Sequence, residues 1–400
     1  MAGFWRLLLV LAALLAPAAV WAEPPRRVLH VSLYPYIPEA QAAALTLKQG
    51  FEATHPNVIV DITFNRNYYD PSPAAKGVLY EDADVHEIDV VFLRDFIRQH
   101  KLAPLPPAFL ASVDKLEPLA AKAASPDGTV VAIPQWMCSD FLIFRTDKTH
   151  LGDRPTLAEL EQSLGPDHGL LMDMAGGGTM GEYYLSALLG EYGDPDVAIA
   201  HITPTPDPVI VDRLRRILAL EPAGYGRNAG YHAREDFYAR QFARGAGDAF
   251  FGYSELTHDA LDESAVSCRD EDHCVTAADI QVAAFPFEDG KVRPAAFIDM
   301  FGIDAKVHGR KLADAEAFIR FAVSLPAYRA LLIPEPGAIP RYLLPATQAA
   351  FEDPQILKAA PLYPKFRAII DQGVVVSARD LNARLRSLAT VIDTQLPATH

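Results

Sequence analysis

Apolar and polar positions along this chain switch repeatedly between two periods. Val28-Leu-His-Val-Ser-Leu-Tyr34 is apolar and β-branched, which predicts a strand. Residues 38–54 carry apolar side chains at helical spacing, and Val58-Ile-Val-Asp-Ile-Thr-Phe64 alternates as a second strand. A loop rich in Asp, Pro, Tyr and Ala fills 67–87, and the apolar run Ile88–Leu93 predicts a third strand followed by a helix. Val130–Pro134 and Phe141–Phe144 are expected as two strands flanking a segment that contains Cys138. The same grammar then repeats: strand Gly169–Met174, glycine turn Ala175–Thr179, helix Glu182–Leu189 and amphipathic helix Val209–Glu221. A strand follows at Asp248–Glu255, running into a helix start, then a strand at Ile280–Phe287. From Lys311 the pattern is helical, broken at Pro326, Pro334, Pro336 and Pro340.

Strands alternating with helices imply α/β layers with mostly parallel sheets. Two such runs with a helical tail predict a two-lobed solute-binding architecture, with a ligand in the cleft between the lobes. The N-terminus changes the setting of that fold. Met1–Arg6 is a short charged start, Leu7–Val20 is apolar, and Val20-Trp-Ala22 supplies a small residue for cleavage, the pattern of a secretory signal. That run is shorter than the ~20 residues a spanning helix needs. Residues 1–22 are therefore expected to be a signal peptide, and the mature protein to be periplasmic or secreted. The expected division is lobe 1 over 23–135, lobe 2 over 136–295, a return to lobe 1 over 296–345, and a C-terminal helical segment over 346–400.

The net charge of −15 argues against nucleic acid and anionic membrane surfaces as partners, and is compatible with a cationic small molecule. The three cysteines sharpen this picture. Cys268 and Cys274 lie close together, in a spacing that fits no common zinc pattern, and are expected to close a short disulfide loop. Cys138 is then the odd thiol of an exported chain: either a small buried hydrophobe or a residue with chemistry to do.

Other candidates sit where strands end, the place where α/β folds bind ligands. Tyr34 and Tyr36 follow the first strand and could stack on a flat ring. Tyr68 and Tyr69 could wall the same cleft, and Asp95 lies just past the strand ending at Leu93. Tyr253 and Glu255 share a face if their strand stays extended that far. A carboxylate there could take a proton from a thiol, but with ordinary pKa values near 4.3 and 8.5 the transfer is uphill. Burial of the glutamate, or a cationic ligand stabilising the thiolate, would narrow the gap. The turn Ala175-Gly-Gly-Gly-Thr179 lacks the ending of a nucleotide loop and is expected to be a tight turn facing the cleft.

Five stretches carry a resemblance: Val31-Ser-Leu-Tyr-Pro-Tyr36, Pro134-Gln-Trp-Met-Cys138, Gly169-Leu-Leu-Met-Asp-Met-Ala-Gly-Gly177, Phe250-Phe-Gly-Tyr-Ser-Glu255 and Tyr342-Leu-Leu-Pro-Ala346. Together, and in this order, the chain resembles the thiamine pyridinylase (thiaminase I) family. The resemblance implies a group II periplasmic-binding-protein-like fold with a central cleft. It also implies base exchange on thiamine. A cysteine thiolate adds to the pyrimidine ring beside a ring nitrogen, a glutamate serves as its base, and an amine, pyridine or thiol replaces the thiazole on the methylene bridge. The family's cysteine falls on Cys138 and its glutamate on Glu255. Its substrate-binding residues fall on Tyr34, Tyr36, Tyr69, Asp95, Tyr238, Tyr253 and Asp299. Where the family has Tyr-Ser-Asp this chain has Phe297-Ile-Asp299, and Asp95 and Tyr238 are out of step with the family's spacing. No cofactor and no metal are implied, thiamine being the substrate, and a monomer is expected. The competing reading is a non-catalytic periplasmic solute-binding protein for thiamine or a pyrimidine. Cys138 and Glu255 favour the enzyme, because a carrier has no use for either.

Overall fold

The computed structural model describes residues 26–396 apart from 65–68, 70–81, 127, 165–168, 223, 235, 268–274 and 288–292. The expected signal peptide, Tyr68, and the expected Cys268–Cys274 disulfide lie outside the described residues. No helix among the described residues is long and apolar enough to cross a membrane.

The strands are β1 Arg27–Leu33, β2 Val58–Phe64, β3 Val85–Asp89, β4 Ala132–Arg145, β5 Leu170–Leu171, β6 Ala249–Tyr253, β7 Ile280–Ala284, β8 Ala295–Ile303, β9 Leu344–Pro345 and β10 Val374–Val375. The helices that matter to the site are α1 Ala40–Thr54, α2 Val90–Arg98, α3 Gly177–Tyr192, α4 Phe237–Ala243, α5 Leu256–Ser267 and α6 Leu381–Asp393. The strand order β2-β1-β3-β8-β4-β6-β5 joins two ladders through β4 and β8.

Two strand expectations are corrected here. The segments either side of Cys138 form one continuous strand of 14 residues, β4. Its first part, Ala132–Ser139, pairs with β8, and from Asp140 it pairs with β6, while Phe141–Arg145 also pairs with β7. A single strand therefore leaves one ladder and enters the other just after Cys138. The second correction concerns Ile88–Leu93. Its strand ends at Asp89, whose side chain accepts a 2.8 Å hydrogen bond from Val91 N and so caps α2. One apolar run serves both elements, because the buried strand and the inward face of the helix each require it.

The sheet is mixed rather than mostly parallel. β1 pairs in parallel with β2 and β3, and β5 with β6, but β4 and β8 run antiparallel to each other and to most of their other neighbours. The antiparallel arrangement follows from connectivity, since one long strand carries the chain between ladders and the other carries it back.

The C-terminal helix α6 packs along α3 at a close approach. A Cβ on Gly181 would stand 2.8 Å from Leu385 Cβ and 3.0 Å from its backbone carbon. Gly181→Ala sets about 1 kcal/mol of helix propensity against an overpacking cost of about 1–3 kcal/mol. Backbone cannot give way as a side-chain tip can, so overpacking wins. The variant is expected to unfold at a lower temperature than the wild type by calorimetry.

Candidate active site

Cys138 stands in β4 opposite Phe297 of β8, and Trp136 stands opposite Asp299. Side chains alternate along a strand and match across a ladder, so Cys138 shares a face with Phe297 and Asp299. The thiol is only partly covered. Its Sγ lies 3.8 Å from Glu255 Oε1 and 4.0 Å from Oε2. Glu255 reaches it in a way the sequence pattern missed. β6 stops at Tyr253, and Ser254–Glu255 form a turn before α5, so Glu255 is a buried turn residue rather than a strand residue. Ser254 Oγ donates to Glu255 Oε2 at 3.3 Å.

Burial dominates the electrostatics. It pushes the Glu255 carboxyl up to about 7, and pushes the Cys138 thiol well above its ordinary value with help from Glu255, Asp299, Asp140 and Asp89. The thiol is therefore protonated in the ligand-free protein, and Glu255 is nearer to it in basicity than a solvated glutamate would be.

Tyr34, Tyr36 and Tyr69 form an aromatic wall beside this pair. Tyr34 meets Tyr36 edge-on with ring centres 5.4 Å apart, and Tyr69 lies 6.1 Å from each. The Tyr34 backbone N–H donates to Glu87 Oε2 at 2.7 Å, which fixes the chain where it leaves β1. Tyr69 OH donates to Asp89 Oδ2 at 2.5 Å, and its carbonyl accepts from Asn382 and Arg386 of α6. Burial raises the Tyr34 hydroxyl well above its usual range, with Asp299, Cys138, Glu255 and Asp89 adding to the effect.

Asp89 and Asp299 face each other directly across β3 and β8. Burial pushes Asp89 up to about 6 and Glu87 to about 8, and burial plus Asp89, Glu87 and Glu255 raises Asp299 strongly. Asp299 Oδ1 finds no hydrogen-bond partner among the described residues. On the far side of Cys138, Asp140 pairs in register with Tyr253, and Tyr253 OH donates to Glu182 Oε2 of α3. Burial, then Glu255, pushes Asp140 to about 7.

Two candidates fall elsewhere. Asp95 lies inside α2, where it accepts from Arg98 and from the Asp380 backbone N–H. It is a scaffold residue. Asp89, at the true strand end, takes the place expected for it. Tyr238 of α4 donates to the Tyr225 carbonyl at 2.8 Å, in a group with Asp173, Glu221 and Tyr231. That group contains the His232–Asp173 pair at 2.6 Å, and His232 fills the space beside Gly176, where a Cβ would stand 2.2 Å from its Cε1. The glycine turn is required by that packing.

Pattern reasoning missed Glu87, Asp89, Asp140 and Glu182. The available signals were an aspartate two residues before a helical backbone N–H, and single acids set within apolar strand and helix runs.

Burial raises the pKa of these carboxylates, which has a measurable consequence for stability. Glu87, Asp89, Asp140 and Glu255 hold protons in the folded state up to about pH 8, 6, 7 and 7. In the unfolded chain they lose them near pH ~4. Their contribution is complete below pH ~4 and is lost as pH rises through the folded values. The melting temperature of the ligand-free protein is expected to fall between about pH 6 and pH 8. A rise across that window in differential scanning fluorimetry would contradict this charge distribution.

The arrangement unites a thiol, a buried glutamate, an aromatic wall and a ring of acids suited to a flat cation. No family model matches the chain. It is 27% identical over 361 residues to Thiaminase-1 of Paenibacillus thiaminolyticus, covering 86% of this chain and 81% of that protein. The resemblance is to thiaminase I. The solved thiaminase I from Bacillus thiaminolyticus superposes with a TM-score of 0.75 at 23% identity, covering 92% of this chain and all (100%) of that one. Clostridium botulinum thiaminase I in complex with thiamin gives 0.72 at 19% identity, covering 92% of this chain and 99% of that one. Maltose-bound T. maritima MalE3 gives 0.65 at 15% identity, covering 92% of this chain and 100% of that one. The fold is thus the two-lobed α/β fold with a central cleft shared by thiaminase I and periplasmic sugar-binding proteins.

Proposed function

We propose that this chain is an exported thiaminase I-like transferase that cleaves thiamine at its pyrimidine–methylene bridge. The observation that carries this reading is the 3.8 Å approach of Cys138 Sγ to Glu255 Oε1 inside the acidic, aromatic-walled site. A carrier protein gains nothing from a thiol paired with a base. The likeness to Thiaminase-1 supports the same reading.

Thiamine carries a permanent positive charge on its thiazolium ring. Seated among Asp89, Asp140, Glu255 and Asp299, that charge offsets the burial and the carboxylate repulsion that together hold the thiol protonated. Cys138 passes its proton to Glu255 and adds to the pyrimidine ring. Tyr34, Tyr36 and Tyr69 hold the ring by stacking, and Asp299 and Asp89 hydrogen-bond its amino group and ring nitrogens. Electrons pushed into the ring expel the thiazole, which leaves neutral because it takes the bond pair that cancels its charge. An amine, pyridine or thiol then attacks the methylene, and the ring releases Cys138. The chemistry uses a nucleophile and a proton carrier from the protein, and thiamine is substrate rather than cofactor.

The test is to incubate purified protein with thiamine and aniline or pyridine, and to follow loss of thiamine by chromatography. Turnover supports the transferase. Tight thiamine binding without turnover would replace it with a solute-binding role.

A further inference from the structure

Asp140 and Ser186 are both buried, at 4% exposure each, and they line the same small cavity with Phe285, Phe287 and Arg293. Asp140 Oδ2 and Ser186 Oγ find no hydrogen-bond partner among the described residues. The free space between them is about 10 Å³. Polar groups left bare in a protein interior are destabilising, and a space of this size with polar partners seats one water. The phenylalanines form dry walls, and the exposed Arg293 lies on the outer side. The cavity therefore lies between Asp140, at the rear of the site, and the exposed Arg293.

The site's chemistry needs such a connection. With pyridine as nucleophile, the cationic substrate becomes a cationic product and a neutral thiazole, and no proton is released. With an aniline, the new C–N bond forms at nitrogen, its N–H bond breaks, and one net proton must leave a buried site. Asp140 is placed for it, two residues from Cys138 on the same face of β4 and opposite Tyr253.

We propose that Asp140, with a water held between it and Ser186, is the exit through which the net proton of an N–H or S–H nucleophile reaches solvent. The carboxylate takes the proton from the new ammonium or sulfonium centre, the water accepts it from Asp140, and bulk buffer removes it past Arg293. The groups facing Asp140 fit this traffic. Cys138 lies on its own strand, Glu255 and Tyr253 approach from β6 and its turn, and Glu182 comes from α3. Glu255 and Asp140 repel one another's charge, so a proton arriving on Glu255 helps Asp140 release its own.

This inference rests on the transferase reading, and the experiment separates the two. Turnover at saturating thiamine is measured for wild type, Asp140→Asn, Asp140→Ala and Ser186→Ala, with aniline and with pyridine, after circular dichroism confirms folding. Asp140→Asn is expected to lower kcat with aniline at least about 30-fold more than with pyridine, the scale of a lost proton-transfer group. Ser186→Ala is expected to lower it in the same direction by several-fold, and added formate is expected to restore part of the aniline rate to Asp140→Ala. Equal losses with both nucleophiles, or no loss with either, would overturn the proton exit while leaving the transferase intact. A wild type inactive with both would overturn the transferase and the exit with it.

Discussion

Cys138→Ser is expected to lower thiamine turnover by at least about 10⁴-fold while leaving thiamine binding within a few-fold of wild type. A serine hydroxyl is far less acidic than a thiol, so the small fraction of reactive anion disappears. Its volume and polarity are close enough to leave β4 and its ladder with β8 undisturbed. The side chain lies at the junction of two ladders, so a gross packing defect would also lower the melting temperature. An unchanged melting temperature with lost turnover isolates the chemistry. Turnover by Cys138→Ser comparable to wild type would remove the nucleophile from the account.

Glu255→Gln is expected to cost about 10²–10⁴-fold in kcat/KM and to abolish the acid limb of the pH profile. The sign follows from the raised carboxyl, held at about 7 chiefly by burial. Below about pH 7 the group is protonated and cannot take the proton of Cys138; above it the carboxylate is available. Wild-type kcat/KM should therefore rise with pH through about 7 and level off, until a later ionisation intervenes. The amide keeps the shape and the hydrogen bond from Ser254 but has no proton affinity in this range. A variant that retains the same limb near neutrality would assign that limb to another group, and Asp140 is the first to examine.

The residues gathered around Cys138 were more legible in the sequence than the scaffold that brings them together. Cys138 stands out by counting, because an odd thiol in a chain expected to be exported asks for a reason. Tyr34 and Tyr36 stood out by position, at the end of a clear strand. Glu255 was found for partly the wrong reason, since an extended strand was expected where a turn folds the acid inward. Asp89 was hidden because Ile88–Leu93 is apolar throughout, and periodicity cannot place a strand–helix boundary inside a run that both elements bury. The pattern points instead to Asp95, which the helix turns toward Arg98 and the chain at Asp380. The unity of β4 was hidden too. Pro134 and the polar Cys-Ser-Asp segment interrupt the apolar pattern, yet the strand continues because its partners change from β8 to β6 and β7 as it passes. Asp140 and Glu182 were invisible as a group, since which acids a fold buries together is a property of register and helix placement rather than of local sequence.

Covalent attack by Cys138 is tested by peptide mapping by mass spectrometry of protein quenched during reaction with thiamine in the absence of an added nucleophile. A pyrimidine-bearing adduct is expected on the peptide that contains Cys138. The adduct is expected to disappear on adding aniline as the exchanged product forms. Thiamine loss with no adduct on Cys138, and with the same rate in Cys138→Ser, would contradict that attack.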